Sequence, residues 1–594
     1  MRLPISLAAV VCLAPAALAG NGGAAEGLSW ESWSEGVFRR AKGEHKFVLL
    51  DLEAVWCHWC HVMDEKTYAN PAIIKLIKSK YIPVRVDQDS RPDLSNRYED
   101  YGWPATVVFN AGGGEIVKRA GYIPADEMSS LLKAIIKDPS PGPSVKPPRS
   151  FKYAKDAFLA ASLRKELQGK VVSGYDSQNA GWGTHHKFLD WDSVEYCLAR
   201  ARAGDERAEK MAKETLAAQV KLLDPVWGGV YQYSTDGDWE HPHFEKIMQM
   251  QAENLRTYSQ AYALWNDPRY LQAARDIHRY LKTFLTSPEG AFYTSQDADL
   301  VKGKHSAEYF ALSDSERRKQ GIPAVDKHMY ARENGWVISA LASLYGATGD
   351  QQYLDDARRS AIWVIRNRSL PGGGFKHDAQ DAAGPYLGDT LAMGRALLSL
   401  YAVTADRQWL SRAQQAADYI NKHFRQGSGG SGFATADLTQ PALQRPQPQL
   451  DENIMVARFG NLLYHYSGQH VDKEMSEHAM RYLATPEVAR QRSILVAGIL
   501  LADLEITSDP AHVTIVGRKN DAQAKALFLA ALKYPGAYKR VEWWDSKEGP
   551  LPHMDVEFPE LKAAAAFACA NRRCSLPVYK PEGVATMVDR LNGS

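Results

Sequence analysis

The chain has 594 residues, with 71 basic and 70 acidic side chains, and hydrophobic residues make up 45% of it. This length suits roughly two to four domains, and a balanced charge without a basic tract argues against nucleic acid as a partner. After the N-terminal segment, no stretch approaches the ~20 consecutive apolar residues of a membrane-spanning helix, so we expect a protein that does not span a membrane.

The first 19 residues have the pattern of a secretory signal peptide. Arg2 is basic, residues 5–18 are nearly all apolar, and Ala17-Leu18-Ala19 forms a small-x-small cleavage site. The apolar run is too short for a membrane anchor. We therefore expect residues 1–19 to be removed and the mature protein to be secreted or periplasmic, in a compartment where disulfides persist.

The segment AVWCHWCHVM, residues 54–63, places Cys57, His58, Cys60 and His61 within five positions. C-x-x-C-H is the attachment signature of c-type haem, whereas C-x-x-C is the redox motif of thioredoxins. Zinc is a third alternative, although four ligands in five residues rarely reach tetrahedral geometry. The choice among these sites depends on the surrounding sequence.

The surroundings of the motif predict alternating strands and helices. A short apolar run, FVLLDL, precedes the motif, and HVMDEKTY and then NPAIIKLIKSKY follow it with helical character. YIPVRVD, GWPATVVF and GGEIVKRAGY are predicted strands. The cysteine pair therefore lies at a strand-to-helix junction, which favours a redox dithiol over haem or zinc.

A cysteine at the start of a helix is chemically activated. Free N–H groups and the helix dipole stabilise a thiolate there and lower its pKa. We therefore expect Cys57 to attack and Cys60 to resolve the mixed disulfide, while a protonated His58 makes the pair more oxidising. The expected partners are protein or small-molecule thiols and disulfides, with no cofactor and no metal. The alternative is a thioredoxin-like domain that binds without turnover.

A proline-rich stretch separates this region from a long helical one. We predict a linker over residues 139–150. Beyond it, segments beginning at 203, 266, 349 and 405 repeat an acidic cap followed by apolar residues at helical spacing, with glycine-aromatic loops between them. A helix pair cannot bury its apolar face alone, so such repeats stack. We expect six hairpins to close into an (α/α)6 toroid over residues 151–505.

Carboxylates and one histidine are the chemical candidates in the toroid. The segment EHPHFEKIMQMQAENL spaces Glu245, Gln249 and Glu253 four apart, which predicts one shared helix face with His243 at the helix start. Sugar hydrolysis needs two carboxylates, and epimerisation needs an acid and a base. Acids at helix starts are, however, often only caps, which is the alternative for Asp451. The candidates are His243, Glu245, Glu253, Asp297, Asp299 and Asp451.

The C-terminal part is predicted to be a small α/β segment over residues 506–594. HVTIVGRKNDAQAKALFLAAL has the pattern of a strand, a glycine turn and a helix. Cys569 and Cys574 are spaced too widely for a thioredoxin site. We expect a local structural disulfide; the alternatives are a pair that exchanges electrons with Cys57 and Cys60 or one that docks a partner. Cys197 lies on a predicted helix, where we expect a buried, inert thiol.

Several segments resemble known families. LLDLEAVWCHWC resembles the thioredoxin active-site strand, and WCHWCHVM, VRVDQDSRPD and GWP resemble the spermatogenesis-associated protein 20 family. This resemblance implies a thioredoxin-like domain over residues 28–138 joined to a toroid similar to sugar-processing enzymes. It also implies that Asp51 manages the proton of the resolving cysteine, that Pro104 is a cis-proline against the disulfide, and that Gly121 is the glycine of the last strand.

The toroid also carries segments similar to this family. PHFEK, SQDAD and the DK…NG segment, with Asp326, Lys327, Asn334 and Gly335, match its pattern. After SQDAD the chain departs from the family, because LVKGKHSAEYF replaces an acidic, glycine-rich stretch.

The predicted fold class is therefore multidomain, α/β plus all-α. Two functions from different classes remain open. One is thiol–disulfide exchange by Cys57 and Cys60. The other is a carbohydrate-processing toroid, glycosidase-like or epimerase-like, or a toroid that only binds a sugar, with an auxiliary thioredoxin-like domain.

Overall fold

The computed structural model describes residues 27–146, 151–381, 383–439, 444–570 and 573–592. The predicted signal peptide, residues 1–19, and the end of the predicted linker, residues 147–150, lie outside the described residues. Within the described ranges, none of the helices has the length and apolar character needed to cross a bilayer.

The N-terminal unit is a four-stranded sheet covered by helices on both faces. Its strand order is β2-β1-β3-β4, with β1 parallel to β2 and antiparallel to β3. Its elements are α1 (Glu35–Glu44), β1 (Phe47–Glu53), α2 (His58–Met63), α3 (Pro71–Lys80), β2 (Tyr81–Asp87), α4 (Pro92–Tyr98), β3 (Ala105–Phe109), β4 (Glu115–Ala120) and α5 (Ala125–Lys137). Along β1, Leu50 packs in the core on the α1 side and Leu49 in the core on the α3 side, so alternate residues fill both cores.

The helical region follows. Its elements are α6 (Ala161–Ser173), α7 (Trp191–Arg202), α8 (Glu206–Gln219), β5 (Tyr233–Ser234), β6 (Pro242–His243), β7 (Lys246–Ile247), α9 (Met248–Trp265), α10 (Pro268–Phe284), β8 (Ser295–Gln296), α11 (Ala307–Phe310), α12 (Asp314–Gln320), β9 (Val325–Asp326), α13 (Ala331–Thr348), α14 (Gln351–Arg368), α15 (Leu387–Thr404), α16 (Arg407–His423), α17 (Leu450–Ser467), α18 (His470–Leu483), α19 (Pro486–Ala489) and α20 (Ala497–Ile506). The inner helices α7, α9, α13, α15, α17 and α20 contact one another in a closed ring. The predicted (α/α)6 toroid is therefore confirmed.

The four repeated segments of the sequence are outer helices. They form α8, α10, α14 and α16, and each begins after an aspartate whose carboxylate accepts a hydrogen bond from a first-turn N–H group. The capping residues are Asp205, Asp267, Asp350 and Asp406. The predicted acidic caps are thus confirmed, and they set the start of each outer helix.

The glycine-aromatic loops are tied to the inner helices by one recurring contact. The fourth residue of four inner helices carries a polar side chain that accepts the N–H of a loop residue. The pairs are Gln251 with Val230, Asn334 with Phe292, Thr390 with Phe375, and Asn453 with Phe433. Each contact satisfies a buried main-chain group that no helix or sheet would otherwise satisfy.

The C-terminal unit repeats the topology of the N-terminal one. Its elements are β10 (Ala511–Val516), α21 (Ala522–Lys533), β11 (Lys539–Trp544), β12 (Ala565–Ala570), β13 (Arg573–Cys574) and α22 (Val584–Asn592). The strand order is β11-β10-β12-β13, with β10 parallel to β11 and antiparallel to β12. This is the order of the first sheet, but the segment between β10 and α21 contains no cysteine.

The two α/β units lie at opposite ends of the toroid. The C-terminal unit contacts the C-terminal ends of inner helices, where Lys519 Nζ donates to the Ala405 carbonyl and the Val541 N–H donates to Tyr466 Oη. The N-terminal unit contacts their N-terminal ends, as described below. An 18-residue inner helix such as α13 is ~27 Å long. The hypothesis that Cys569 or Cys574 exchanges directly with Cys57 in the same chain is therefore wrong.

Candidate active site between the thioredoxin-like unit and the toroid

Cys57 and Cys60 form a disulfide at the start of α2. Cys57 is the N-cap residue, and its Sγ accepts the N–H of Cys60 at 3.1 Å. The two residues are 4% and 2% exposed, because Trp56, Trp103 and the toroid residue Ile247 pack around them. The predicted strand-to-helix junction is present, but the toroid covers the face that a free thioredoxin would offer to a partner.

The cis-proline expected from the resemblance is confirmed. The Trp103–Pro104 peptide bond is cis and immediately precedes β3. The Pro104 carbonyl accepts the N–H of Gly121, at 2.8 Å. Gly121 has φ of 72° just after β4, which is a conformation that favours glycine.

Asp51 lies in the middle of β1 and is buried. Arg85 Nε donates to its Oδ2 at 2.9 Å, while Oδ1 has no hydrogen-bond partner in the described part of the chain. Burial raises the pKa of Asp51 to about 6, against the opposing charge of Arg85. A carboxyl group with this pKa can exchange a proton near neutral pH, and its role toward Cys60 stays a prediction.

The two histidines of the motif face the toroid. His58 donates its main-chain N–H to Glu245 Oε1 at 3.3 Å, and its Nδ1 lies 2.8 Å from Asp299 Oδ1. His61 Nδ1 lies 3.2 Å from Asp299 Oδ2, and its Nε2 lies 3.8 Å from Asp297 Oδ2. The PHFEK and SQDAD segments therefore converge on the cysteine motif, which the sequence did not indicate.

The electrostatics of this cluster depend on Asp299. Burial lowers the pKa of His58 and of His61, but hydrogen bonding to Asp299 and nearby carboxylate charge outweigh burial, and both pKa values lie above the ordinary histidine value. Burial raises the pKa of Asp299, but hydrogen bonds from the two histidines outweigh it and lower that pKa to about 2. Burial raises the pKa of Asp297 to about 6.

The predicted helix over the PHFEK segment begins later than expected. His243 lies in β6, and α9 starts only at Met248. The segment is extended because β7 pairs with β8, which lies far along the chain. Glu245 precedes β7 and is not helical, so the expectation that it shares a helix face with Glu253 is wrong. His243 stacks on a tyrosine instead, 4.4 Å between ring centres.

A cavity of about 520 Å³ lies between the N-terminal unit and the first turns of the inner helices. Trp56 and Trp103 line it on one side, and Glu253 and Asp451 line it on the other. Arg256 Nε donates to Glu253 at 2.7 Å. The same tryptophans pack against the Cys57–Cys60 disulfide, so the disulfide lies directly behind the cavity wall.

Asp451 does not cap its helix. The side chain of Gln449 accepts the N–H of Glu452 and caps α17, whereas Asp451 pairs with Arg492 through two contacts of 2.6 Å. The capping alternative for Asp451 is therefore wrong.

Several cavity residues were missed by sequence reasoning. Carboxylates occupy the second or third position of four inner helices, and each has one buried oxygen without a hydrogen-bond partner among the described residues. They are Asp192 and Glu333, which line the cavity, Asp389, which does not, and Glu452, which lines it and which the sequence already places beside Asp451 in a pair of acids at a helix start. Burial raises the pKa of Asp192 to about 8 and that of Glu452 to about 8. The signal that could have identified these residues is an acid in the first turn of a helix. The sequence did not show which helices are inner ones, whose first turns face the cavity, and which are outer ones.

Arg395 was also missed. It lies on α15 and lines the cavity near Glu253. No hydrogen bond or ion pair of its guanidinium is found within the described ranges, and burial lowers its pKa. The cavity thus contains an unpaired cation close to several carboxylates.

A third histidine joins the two units. His377 Nε2 lies 2.7 Å from the carbonyl oxygen of Asp89, and its Nδ1 lies 2.8 Å from Asp389. Both partners only accept hydrogen bonds, so both ring nitrogens of His377 carry protons. Burial lowers the pKa of His377, but the charge of Asp389 outweighs burial and raises it to about 9. Gln449 Nε2 adds a hydrogen bond of 3.0 Å to Glu99.

The remaining cysteines lie away from this site. Cys569 and Cys574 are directly opposite each other on β12 and β13 and form a disulfide. A cross-strand position agrees with a local structural disulfide. Cys197 is a free, buried thiol, as expected, and burial raises its pKa to about 12.

Comparisons with known proteins agree with this two-part architecture. The family model described as "Protein of unknown function, DUF255" (Thioredox_DsbH) matches residues 22–137. Spermatogenesis-associated protein 20 of Homo sapiens is 23% identical, and the match covers 93% of this chain and 89% of that protein. The thiol:disulfide interchange protein DsbD of Campylobacter jejuni (strain RM1221) is 33% identical over 15% of this chain and 16% of that protein.

The toroid is similar in fold to solved sugar-enzyme structures. A crystal structure of D-mannose isomerase matches 59% of this chain and 98% of that chain, with a TM-score of 0.46 and 12% identity. This likeness concerns the fold alone. The chain is thus similar to spermatogenesis-associated protein 20 along 93% of its length, and it has a thioredoxin-like domain joined to a six-hairpin toroid.

Proposed function

We propose that the chain is a thiol–disulfide oxidoreductase whose Cys57–Cys60 pair reacts in the enclosed space between the thioredoxin-like unit and the toroid. One observation carries this proposal. The pair lies at a helix start, behind the tryptophan wall of the interdomain cavity. The match to the thiol:disulfide interchange protein DsbD of Campylobacter jejuni supports the redox assignment, because that name describes thiol–disulfide exchange.

In the proposed exchange, the Cys57–Cys60 dithiol is oxidised and one substrate disulfide is reduced to two thiols. The Cys57 thiolate attacks a substrate disulfide, forms a mixed disulfide and releases one substrate thiol. The Cys60 thiolate then attacks Cys57, which restores the Cys57–Cys60 disulfide and releases the second substrate thiol. The N–H of Cys60, 3.1 Å from Cys57 Sγ, stabilises negative charge on the attacking sulfur.

The burial of the pair favours a small substrate over a folded protein. Cys57 is 4% exposed, and the toroid residues around it leave no surface for an extended protein chain. The cavity of about 520 Å³ is large enough for a low-molecular-weight thiol or disulfide. Unpaired Arg395 and the buried carboxylates suit a substrate that carries both a carboxylate and an ammonium group.

The test compares oxidants of different size on the fully reduced protein. Glutathione disulfide should oxidise the Cys57–Cys60 pair at least about tenfold faster than a protein disulfide such as insulin, measured by acid quenching, alkylation and intact mass. Cys57→Ser should abolish both reactions, while Cys197→Ser, which removes a buried thiol elsewhere, should change neither. Equal rates with insulin would contradict the enclosed site. A wild-type Cys57–Cys60 pair that neither oxidant oxidises would contradict the assignment.

A second candidate function is binding or processing of a sugar by the toroid. The observation that favours it is the cavity lining, where Trp191 and Trp336 lie beside Glu452 and Asp192. Aromatic rings stack on sugar rings, and a carboxyl group with a pKa of about 8 is a ready proton donor at neutral pH. Calorimetric titration with mono- and disaccharides should show binding that Glu452→Gln weakens, whereas absence of binding to the wild type would remove this candidate.

A further inference from the structure

Three side chains at the junction of the two domains have the arrangement of metal ligands. His61, Asp297 and Asp299 each offer one ligand atom, and these atoms lie within 4.8 Å of one another. All three residues are buried, with exposures of 5%, 3% and 3%. Ligand atoms bound at ~2.1 Å to one ion lie ~3–4 Å apart, so a small inward movement completes such a site. We propose that these residues bind one divalent first-row transition-metal cation.

The hydrogen bonding of His61 leaves a place for a cation. Its Nε2 lies 3.2 Å from the carbonyl oxygen of Val55, which only accepts, so Nε2 carries a proton. In the neutral ring, Nδ1 then presents a lone pair toward Asp299 Oδ2, 3.2 Å away, which is also an acceptor. A proton or a metal ion must separate these two acceptors. A ligating histidine that donates its other N–H to a carbonyl is the usual arrangement at metal sites.

The charges around the site favour a divalent ion. Glu245 is 3% exposed, and its Oε2 has no hydrogen-bond partner within the described residues. Its other oxygen accepts the N–H of His58, which places the carboxylate beside the cluster. Glu245 Oε2 also lies 3.8 Å from His243 Nδ1. Together with Asp297 and Asp299, Glu245 brings three buried carboxylates to this junction.

A second acidic cluster, within the thioredoxin-like domain, differs from the proposed metal site in its ion pairs. Asp51, Glu53 and Asp64 also lie close together. Arg85 forms an ion pair with each of these three carboxylates. No arginine or lysine forms an ion pair with Asp297 or Asp299 among the described residues. Among the described residues, the first cluster therefore has only His58 and His61 as pairing partners, whereas an arginine fills the second.

The donor set indicates the class of metal. Two carboxylates and one imidazole suit Mn²⁺, Fe²⁺ or Zn²⁺, and thiolate ligation is excluded while Cys57 and Cys60 form a disulfide. The site differs from zinc held by the cysteine motif itself, because its carboxylates come from the toroid. A metal ion here would clamp the thioredoxin-like domain to the toroid and raise the stability of the folded chain through binding.

The experiment uses the oxidised, metal-free full chain with Mn²⁺ and Co²⁺ as probes. Electron paramagnetic resonance should report one bound Mn²⁺ per chain, and Co²⁺ should give visible bands without thiolate charge transfer. Asp297→Asn and His61→Gln should each lower the affinity by at least about tenfold. Asp64→Asn, which alters the acidic cluster filled by Arg85, should bind like the wild type.

Two results would overturn the site. One is equal affinity of the wild type and Asp297→Asn for Mn²⁺ and for Co²⁺. This result would mean that a proton, and not a metal ion, lies between His61 and Asp299. The other is full retention of the bound ion in both variants. Circular dichroism establishes that each variant is folded. His61→Gln keeps an amide donor near the Val55 carbonyl and decides the question if Asp297→Asn does not fold.

Discussion

A few side chains connect the cysteine pair to the toroid. His58, between the two cysteines, uses its main-chain N–H for Glu245 and its ring for Asp299. Glu245 therefore places a carboxylate at the amide that directly follows Cys57. A negative charge at this position opposes formation of the Cys57 thiolate, so we expect the toroid to influence the reduction potential of the pair.

We expect Glu245→Gln to raise the reduction potential of the Cys57–Cys60 pair. Glutamine keeps an acceptor for the His58 N–H but removes the negative charge, which stabilises the thiolate and hence the reduced form. The rise should be on the order of 30 mV, which corresponds to ~1.4 kcal/mol. Equilibration with glutathione followed by alkylation and mass measurement gives the potential.

Glu240→Gln is the matched control for this prediction. Glu240 lies five residues earlier, is exposed, and pairs with Lys221 on the surface. Its replacement should leave the potential unchanged. An unchanged or lowered potential in Glu245→Gln would show that this carboxylate does not act on the pair.

At the residue scale, local motifs were predictable and distant contacts were not. Cys57, Cys60 and Pro104 were found because a short segment specifies each of them. The contact between His61 and Asp299 joins residues 238 positions apart. A spacing of this size has no local pattern, so the sequence did not show that the redox motif and the toroid acids form one site.

At the scale of elements, the toroid depends on loops that the inner helices hold in place. Asn334 shows this most clearly. Its Oδ1 accepts the N–H of Phe292 at 2.8 Å, and its Nδ2 donates to the Phe292 carbonyl at 3.0 Å. Asn334 belongs to a segment that resembles the spermatogenesis-associated protein 20 family, and the structure gives it a structural role.

Asn334→Ala should destabilise the chain by about 2–4 kcal/mol. The change leaves the buried N–H and carbonyl of Phe292 without partners, and each unsatisfied group costs about 1–3 kcal/mol. Urea unfolding measures the loss. Asn367→Ala, which removes one part-buried hydrogen bond of an exposed side chain on an outer helix, should cost far less. Equal losses in the two variants would contradict the role of Asn334.

The C-terminal disulfide should stabilise its own sheet only. Cys569 and Cys574 are separated by five positions, so the bond closes a short loop, and the double serine variant should lose about 2 kcal/mol of stability. The reduction potential of Cys57 and Cys60 should not change, because that pair lies at the other end of the toroid. A shifted potential in the double variant would contradict this separation.

The elements were predictable where each start is encoded locally. The outer helices begin after aspartate caps such as Asp267 and Asp406, which the sequence shows directly. The predicted start of α9 was wrong because β7 pairs with β8, and the β8 residues Ser295–Gln296 lie about fifty positions after β7. Strand pairing over such a distance overrides the helical spacing of the PHFEK segment.

At the scale of the whole molecule, two α/β units of the same strand order close the two ends of one helical ring. Only the N-terminal unit has a cysteine pair at the junction of its first strand and the next helix, and only this unit lines the cavity over the inner-helix N-termini. Its docking depends in part on His377, which reaches the Asp89 carbonyl from the toroid. Docking of the N-terminal unit on the toroid therefore depends in part on a charged, buried histidine.

The stability of the closed molecule should fall as pH rises toward 9. The pKa of His377 is about 9 when folded and close to 6.5 when unfolded, so protonation stabilises the fold fully below pH 6.5 and not above pH 9. The difference is worth about 3 kcal/mol. Urea unfolding at pH 6 and pH 9.5 should show this loss in the wild type and a smaller one in His377→Gln.

His241→Gln is the control for this pH dependence. His241 is exposed and pairs with Asp238 at the surface, so its replacement should leave the pH dependence of unfolding close to that of the wild type. The same pH dependence in His377→Gln as in the wild type would show that His377 does not carry the effect.

The reduction potential of the wild-type pair tests the central claim most directly. The full chain is equilibrated across glutathione redox ratios, trapped by alkylation and measured by intact mass. We expect Cys57 and Cys60 to switch as one pair between about −120 and −270 mV, the span of dithiol oxidoreductases, while Cys569 and Cys574 stay oxidised. A Cys57–Cys60 disulfide that never opens across this range would contradict the oxidoreductase assignment and leave the thioredoxin-like domain as a lid on the toroid.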